Sequence, residues 1–239
     1  LIAFHWPPFS GSSGVQRTLK FSKYLREFGW EPIILSASPT AYPSCSDDLM
    51  PEIPAGAIVR RAFALDAGRQ LAFRGRYLGV TALPDRWVSW WPAGVIDGMS
   101  LIRRHRPDVI WATYPIATAH LIAATLRRLT GVPLVADYRD AMVVEDFPED
   151  PRVRRVFSRI ERRVVRSAST AVFTTPRSRE LYRLRYPEEP AEKLVCIRNG
   201  YDEADFRLIP PAEPRPPSRR LKLLHSGLLK LNERDPRPF

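Results

Sequence analysis

Gly11 and Gly14, with Ser12 and Ser13 between them, stand where this chain is best equipped for chemistry. The apolar run Leu1-Ile2-Ala3-Phe4 breaks at Pro7-Pro8, passes through this small-residue loop and continues as an amphipathic stretch from Val15 to Phe28. A strand that feeds such a loop at a helix start leaves backbone N–H groups free at the positive helix end and lets a ligand reach them. That arrangement favours an anion and points to a phosphorylated substrate. The plainer reading is that the two glycines only turn the chain tightly.

The same residues exclude two neighbouring chemistries. A nicotinamide fingerprint needs G-x-G-x-x-G and an acidic residue at the end of the next strand. Here the loop is G-x-x-G, and the strand Pro32-Ile33-Ile34-Leu35 runs into Ser36-Ala37-Ser38. The phosphate loop G-x-x-x-x-G-K-[ST] is absent from the sequence as well.

A parallel sheet must position this loop, and the chain reads as one. Ile58 to Arg61 forms a short strand, and residues 66 to 92 are irregular and aromatic-rich. A helix from Ala93 to Arg104, a strand from Asp108 to Ala112 and a helix from Ile116 to Thr130 follow. Gly131-Val132-Pro133 ends that helix and launches the buried strand Leu134 to Asp137. Arg152 to Ala168 is helical, Ala171 to Thr174 a strand, Ser178 to Tyr186 a helix and Leu194 to Ile197 a strand. The alternation predicts an α/β fold with a doubly wound, mostly parallel, Rossmann-like sheet and ligands at the carboxyl ends of its strands.

Residues 1–206 read as this domain, and the proline-dense 207–220 as a stiff linker. Residues 221–239 read as the first strand and loop of a second Rossmann-like domain, truncated here, since so short a stretch cannot make a domain. The alternative is a strand that returns to the first sheet.

Composition sets outer bounds. With 239 residues, 44% of them apolar, the chain can bury a full core, and it shows no run of 18 uncharged apolar residues and no leader pattern. Leu1 in place of Met hints at a fragment. Cys45 and Cys196, far apart, suit a reducing cytoplasm, and the four histidines have no metal-ligand spacing, so no metal site is expected. A formal charge of +11 attracts phosphates, lipid headgroups or nucleic acid. Nucleic acid is not expected, because neither RRM-type aromatics, zinc spacing nor a helix-turn-helix cue accompanies the charge.

The order of several short motifs then resembles the N-terminal half of a GT-B glycosyltransferase of the family 4 type. The motifs are Pro7-Pro8-x-x-Gly11-x-x-Gly14, the D-x-R-D at Asp137 to Asp140, Asn199-Gly200-Tyr201-Asp202 with Phe206, and His225-Ser226-Gly227 with Arg234-Asp235-Pro236. The resemblance implies two Rossmann-like domains facing across a cleft, the first holding the acceptor and the second most of the nucleotide-sugar. The family's E-x7-E donor motif would lie beyond Phe239, so this stretch alone is expected to be inactive. A GT-B sugar-nucleotide epimerase shares the same architecture, and a non-catalytic module holding an anionic membrane or nucleic acid is the rival from another class.

The resemblance implies transfer of a sugar from a nucleotide-sugar co-substrate, without a metal or other cofactor, to a glycan or lipid-linked acceptor in cell-surface polysaccharide or glycolipid synthesis. Leaving-group charge must be stabilised. Gly11, Ser12, Ser13 and Gly14 suit that role, with Gly227 and Arg234 as donor-phosphate contacts, although Leu228 stands where some members carry a basic residue. Asp140 is the first candidate to activate the acceptor hydroxyl and Asp137 the second. The alternative is that either aspartate pairs with Arg139 structurally. His120, a turn beyond Tyr114, is a further catalytic candidate, and Tyr114, Arg139 and Asn199 are expected to contact substrate. Asn199-Gly200 is expected first of all to support a turn. The loop of Trp87, Trp90 and Trp91 with Asp85 and Arg86 would stack on sugars, meet lipid, or pack in the core. Val153, Val156, Phe157, Ile160 and Val164 form a core stripe, leaving Arg154, Arg155, Arg159, Arg162, Arg163 and Arg166 for solvent or an anionic membrane surface. The expected place is the cytoplasm, as a peripheral protein at the inner face of the membrane.

Overall fold

The computed structural model describes residues 1–74, 77–207 and 224. The chain divides into two compact units, Leu1–Gly200 and Tyr201–Phe239. The division falls at Gly200, ahead of the expected boundary at 206.

In the first unit the strands are β1 (Ile33–Ala37), β2 (Ile58–Ala62), β3 (Ile110–Thr113), β4 (Leu134–Tyr138), β5 (Thr170–Phe173) and β6 (Leu194–Cys196). All pairings are parallel: β1 with β2 from Ile33↔Ile58 to Ala37↔Ala62, then β3 with β4, β4 with β5 and β5 with β6. Between the two sets runs the start of the chain. Ile2 bridges both Leu35 and Ala112, its N–H donating to Trp111 O at 2.7 Å and its carbonyl accepting from Thr113 N at 3.2 Å. The order across the sheet is therefore β2, β1, residues 1–4, β3, β4, β5, β6. Leu1 to Phe4, expected as a strand, is paired there through Ile2 and through Leu1 O and Ala3 N on Leu35, and goes no further because the backbone already turns at Trp6, whose N–H donates to Phe4 O.

The helices are α1 (Gly14–Tyr24), α2 (Ala67–Gln70), α3 (Trp90–His105), α4 (Ala117–Thr130), α5 (Pro151–Ser167) and α6 (Pro176–Arg185). The expected helix to Phe28 instead tightens into a 3-10 turn over Leu25–Phe28. Proline at the first helical position and an acceptor just before it start both α5 and α6: Asp150 caps Arg152 N and Thr175 caps Ser178 N. α3 and α4 pack closely because Gly94 and Gly98 carry no side chain; a Cβ there would meet Ile122 Cδ1 at 2.6 Å and Leu126 Cδ1 at 2.5 Å.

The aromatic loop belongs mainly to the core. Trp90 is fully buried, and Trp87 packs on Phe4 at 4.6 Å while its indole N–H donates to Ala41 O. Only Trp91 is exposed among these three, and it donates to Thr125 Oγ1 at 3.1 Å. Asp85 and Arg86 have structural partners: Asp85 caps α4 through Thr118, and Arg86 holds the buried Asp66.

In the second unit the described part is α7 (Glu203–Arg207), where Asp202 accepts from Ala204 N. The expected linker and C-terminal strand, with Gly227 and Arg234, lie outside the described residues, Arg207 and Leu224 apart.

Candidate functional site

The winding of the sheet reverses beside residues 1–4: the chain leaves them through α1 toward β1, and reaches β3 on their other side through α3. The crevice beyond the carboxyl ends of strands at such a point is where open α/β sheets bind ligands. Here it receives the loop after Phe4, Tyr114 after β3 and Arg139-Asp140 after β4.

Gly11 has φ +92°, a conformation glycine adopts freely, and the loop is fixed by Ser10 N donating to Ser44 O and Ser44 Oγ donating to Ser10 O. Ser12 Oγ accepts from Gly14 N at 3.1 Å, whereas Ser13, exposed, makes no capping bond at the head of α1. Gly14 is where Arg139 comes closest. A Cβ on Gly14 would lie 2.0 Å from Arg139 Nη1, so the guanidinium occupies the space in front of the helix only because that residue is glycine.

Arg139 is held by neutral groups. Its Nε donates to Tyr114 O at 2.6 Å and its Nη2 to His5 Nδ1 at 3.1 Å, while Thr174 Oγ1 fastens its carbonyl. Neither aspartate of the D-x-R-D motif forms an ion pair with it. Burial lowers its affinity for the proton, opposed by the charges of Asp137 and Asp140. A half-buried cation with neutral partners at a positive helix end is suited to an anionic ligand.

Asp137 has a different occupation. It is fully buried, Arg17 grips both its oxygens at 2.9 and 3.0 Å, and Thr113 Oγ1 donates to it at 2.8 Å. Arg17 also reaches Asn199 Oδ1 at 3.2 Å and the carbonyls of Ile197 and Arg198. One arginine of α1 thereby ties β4 to the segment after β6. The sequence reading missed Arg17; its place one turn into the helix after the glycine loop was the available signal.

Asp140 is exposed and, among the described residues, has no hydrogen-bond or ion-pair partner. It lies near enough to the buried Tyr114 that its charge adds to the effect of burial in raising the phenol well above its usual range. His120 does not join this group. It is fully buried in α4, its Nε2 on Ala112 O at 3.1 Å and its ring edge-on to Tyr138, and burial pulls its pKa to about 4. A histidine one turn into a helix that packs across the sheet points into the core, so contact with a substrate is closed to it in this structure.

The second residue missed by sequence is His5. It follows the central segment directly, stacks on Phe9 at 4.4 Å and 4°, and is pulled to a pKa of about 3 by burial and by the Arg139 charge. Among the described residues, no group of three His, Cys, Asp or Glu side chains is placed to hold a metal ion, and no helix is long and apolar enough to cross a membrane.

Likeness to solved structures is consistent with this architecture. Apo UGT2 of Phytolacca americana superposes with a TM-score of 0.51 at 14% identity, over 85% of this chain and 54% of that one. A UDP-glucosyltransferase of Polygonum tinctorium capable of glucosylating indoxyl, in complex with 3,4-dichloroaniline, gives 0.54 at 14% identity, over 87% and 55%. The chain thus spans a little over half the length of each, and shares with them the Rossmann-like GT-B domain fold. No curated protein matches it significantly. The model of the glycosyl transferase 4-like domain matches residues 13–200, from the head of α1 to the end of the first unit. That span takes in the glycine at the helix start, the D-x-R-D motif and Asn199, and by it the chain belongs to the glycosyl transferase 4-like family.

Proposed function

We propose that this domain is the acceptor side of a transferase that moves a sugar from a nucleotide-sugar donor to a hydroxyl of a glycan or lipid-linked acceptor. The observation that carries this reading is Arg139, a cation without a carboxylate partner, lodged against Gly14 at the positive end of α1. Breaking the anomeric C–O bond leaves a diphosphate with added negative charge, and fixed donors at that point lower the barrier. Asp140, unpartnered and exposed at the lip, is the group to accept the acceptor's proton. Asp137 then acts by positioning Arg17 and Asn199. From their sequence positions, Gly227 and Arg234 are proposed contacts for the donor phosphates, and no metal takes part.

The finer setting is cell-surface polysaccharide or glycolipid synthesis at the inner face of a membrane. What supports it is the charge of α5 and α6. Between Pro151 and Arg185 lie eleven arginines and two glutamates. Arg152, Arg155, Arg159, Arg162 and Arg163 are exposed and without ion-pair partners among the described residues, and Arg166 pairs with Glu188. Arg154 departs from the expected stripe, folding back onto the carbonyls of Val144, Glu145 and Pro148.

The test is nucleotide release from a panel of UDP-, GDP- and ADP-sugars by the full-length protein, with and without polyprenyl-phosphate sugars or glycans as acceptors. Acceptor-dependent release, reduced about a hundredfold or more by Asp140→Asn with an unchanged fold, is expected. Sugar-nucleotide isomerisation without an acceptor would instead identify an epimerase.

A further inference from the structure

We propose that His5 serves the transfer as a neutral hydrogen-bond donor through Nε2, aimed at a substrate oxygen, and that Arg139 fixes it in that state. The inference rests on the transferase reading for the identity of the substrate, and on the side chains themselves for the rest.

A guanidinium only donates hydrogen bonds. The 3.1 Å contact between Arg139 Nη2 and His5 Nδ1 therefore requires a lone pair on Nδ1. In a neutral imidazole with Nδ1 unprotonated, the proton is on Nε2. Protonating Nδ1 would set two cationic donors against each other, and the burial that depresses the imidazole pKa acts in the same direction. Arg139 cannot turn away, because Tyr114 O holds its Nε and the α1 backbone at Gly14 closes its other side. The imidazole is clamped in turn by stacking on Phe9, with interplanar angle 4°.

Nε2 is then the one ring nitrogen left to act. Among the described residues it has no hydrogen-bond partner, and His5, at the start of the loop that enters the crevice, retains 7% of its surface. An N–H directed there stabilises an oxygen that gains negative charge, such as the phosphate oxygen of the departing group. It has no lone pair with which to take a proton from the acceptor, so the base must be another group, for which Asp140, next to Arg139 in the chain and exposed, is the candidate. Gly14, Arg139 and Tyr114 are positioning residues in this arrangement.

The experiment has two arms on the full-length protein. Imidazole 15N chemical shifts in the wild type are expected to show Nε2–H, Nδ1 unprotonated, with no protonation down to about pH 5; in Arg139→Met the pKa should rise, while burial, the larger cause, keeps it below the ordinary 6.5. An Nδ1–H tautomer, or an imidazolium at pH 6 in the wild type, overturns the proposal. In the second arm, nucleotide release from the best sugar nucleotide of the panel is compared for His5→Gln and His5→Ala. Gln can place an amide N–H near Nε2 but is no base. It should therefore retain at least tenfold more kcat than Ala, with KM similar, and the wild-type rate should show no acid limb with an imidazole pKa. Equal loss in both variants, with an acid limb near 6.5 in the wild type, would mean a base and sink the idea. If the wild type releases nucleotide from no donor, the transferase reading fails and the substrate contact with it, and the first arm still decides the tautomer.

Discussion

Glu161 and Arg139 are both charged groups taken largely out of water, and their surroundings differ in kind. Glu161, on α5, is 1% exposed and closed on every side: Tyr182 and Tyr186 donate their hydroxyls to it at 2.6 and 2.8 Å, and Arg185 Nη1 donates at 2.6 Å. Burial and the carboxylate together hold Tyr182 far above its usual pKa, so it stays a donor. Arg139 has a carbonyl and an imidazole nitrogen and no carboxylate. Paired charge ties elements together here, Glu161 joining α5 to α6 and Asp137 joining β4 to α1, while Arg139, with neutral partners, sits just past the end of β4 where the crevice opens. A buried charge is costly unless compensated, so a cation kept without a carboxylate in hydrogen-bond contact is suited to an anionic ligand.

The largest effects should come from breaking the closed pairs. Glu161→Ala strands two buried hydroxyls and a guanidinium, and Arg17→Ala leaves Asp137 buried with only Thr113; each is expected to cost about 3–5 kcal/mol. Chemical denaturation of the purified protein measures both. Arg139→Met removes a cation without a carboxylate partner, so it should cost far less stability than either, and much more activity. Comparable destabilisation in all three would erase the distinction between the two regions.

The legible part of the sequence was the part governed by periodicity. Apolar runs located all six strands of the described residues, and the motif order identified the family, because both depend on local pattern. D-x-R-D could not be resolved in the same way: Asp137 still belongs to β4 and meets Arg17 on α1, while Arg139, two residues on and past the end of the strand, meets His5 and Tyr114. Such partners are distant in the chain and leave no local signal. Glu161 was invisible for the same reason, an acid within an apolar and arginine-rich helix whose donors come from α6 and the residue that follows it. His120 and the tryptophans were legible as types but not as directions, and Gly14 gave the loop correctly without revealing that an arginine fills the space before it.

Acid should separate the core from the site next. His120 is neutral with a pKa of about 4 in the native protein against an ordinary 6.5. As pH falls below 6.5 the unfolded chain binds a proton that the folded chain refuses until about pH 4. Stability is therefore lost across that window, by up to about 3 kcal/mol at 1.36 kcal/mol per pKa unit. Denaturation midpoints measured from pH 7 to 4 should fall, and His120→Leu should flatten the slope. His5, lowered to about 3, adds a second decline that reaches further down, and it should persist in that variant.

Gly14→Ala tests the crowding at the loop with a smaller stability effect, about 1–3 kcal/mol of overpacking. Its methyl must displace the Arg139 guanidinium. Sugar transfer should drop at least tenfold, and the His5 pKa should rise because its partner has moved. A variant with full activity would show that Arg139 is not needed against α1.

The smallest effect is expected where charge is neither buried nor paired. Arg159 has Arg155 and Arg163 four residues away on either side and Arg162 at three, all exposed on α5, and like charges at these spacings repel by a few tenths of a kcal/mol per pair. Arg159→Glu converts each repulsion into an attraction, so the protein should gain up to about 1 kcal/mol rather than lose any. If the stripe serves an anionic membrane, the same variant should bind vesicles containing phosphatidylglycerol more weakly, since each basic residue near such a surface contributes about 1 kcal/mol. Flotation with anionic and with purely zwitterionic vesicles reads this directly. A gain in stability with no change in flotation would leave these arginines to the solvent and confine ligand-directed charge to the crevice.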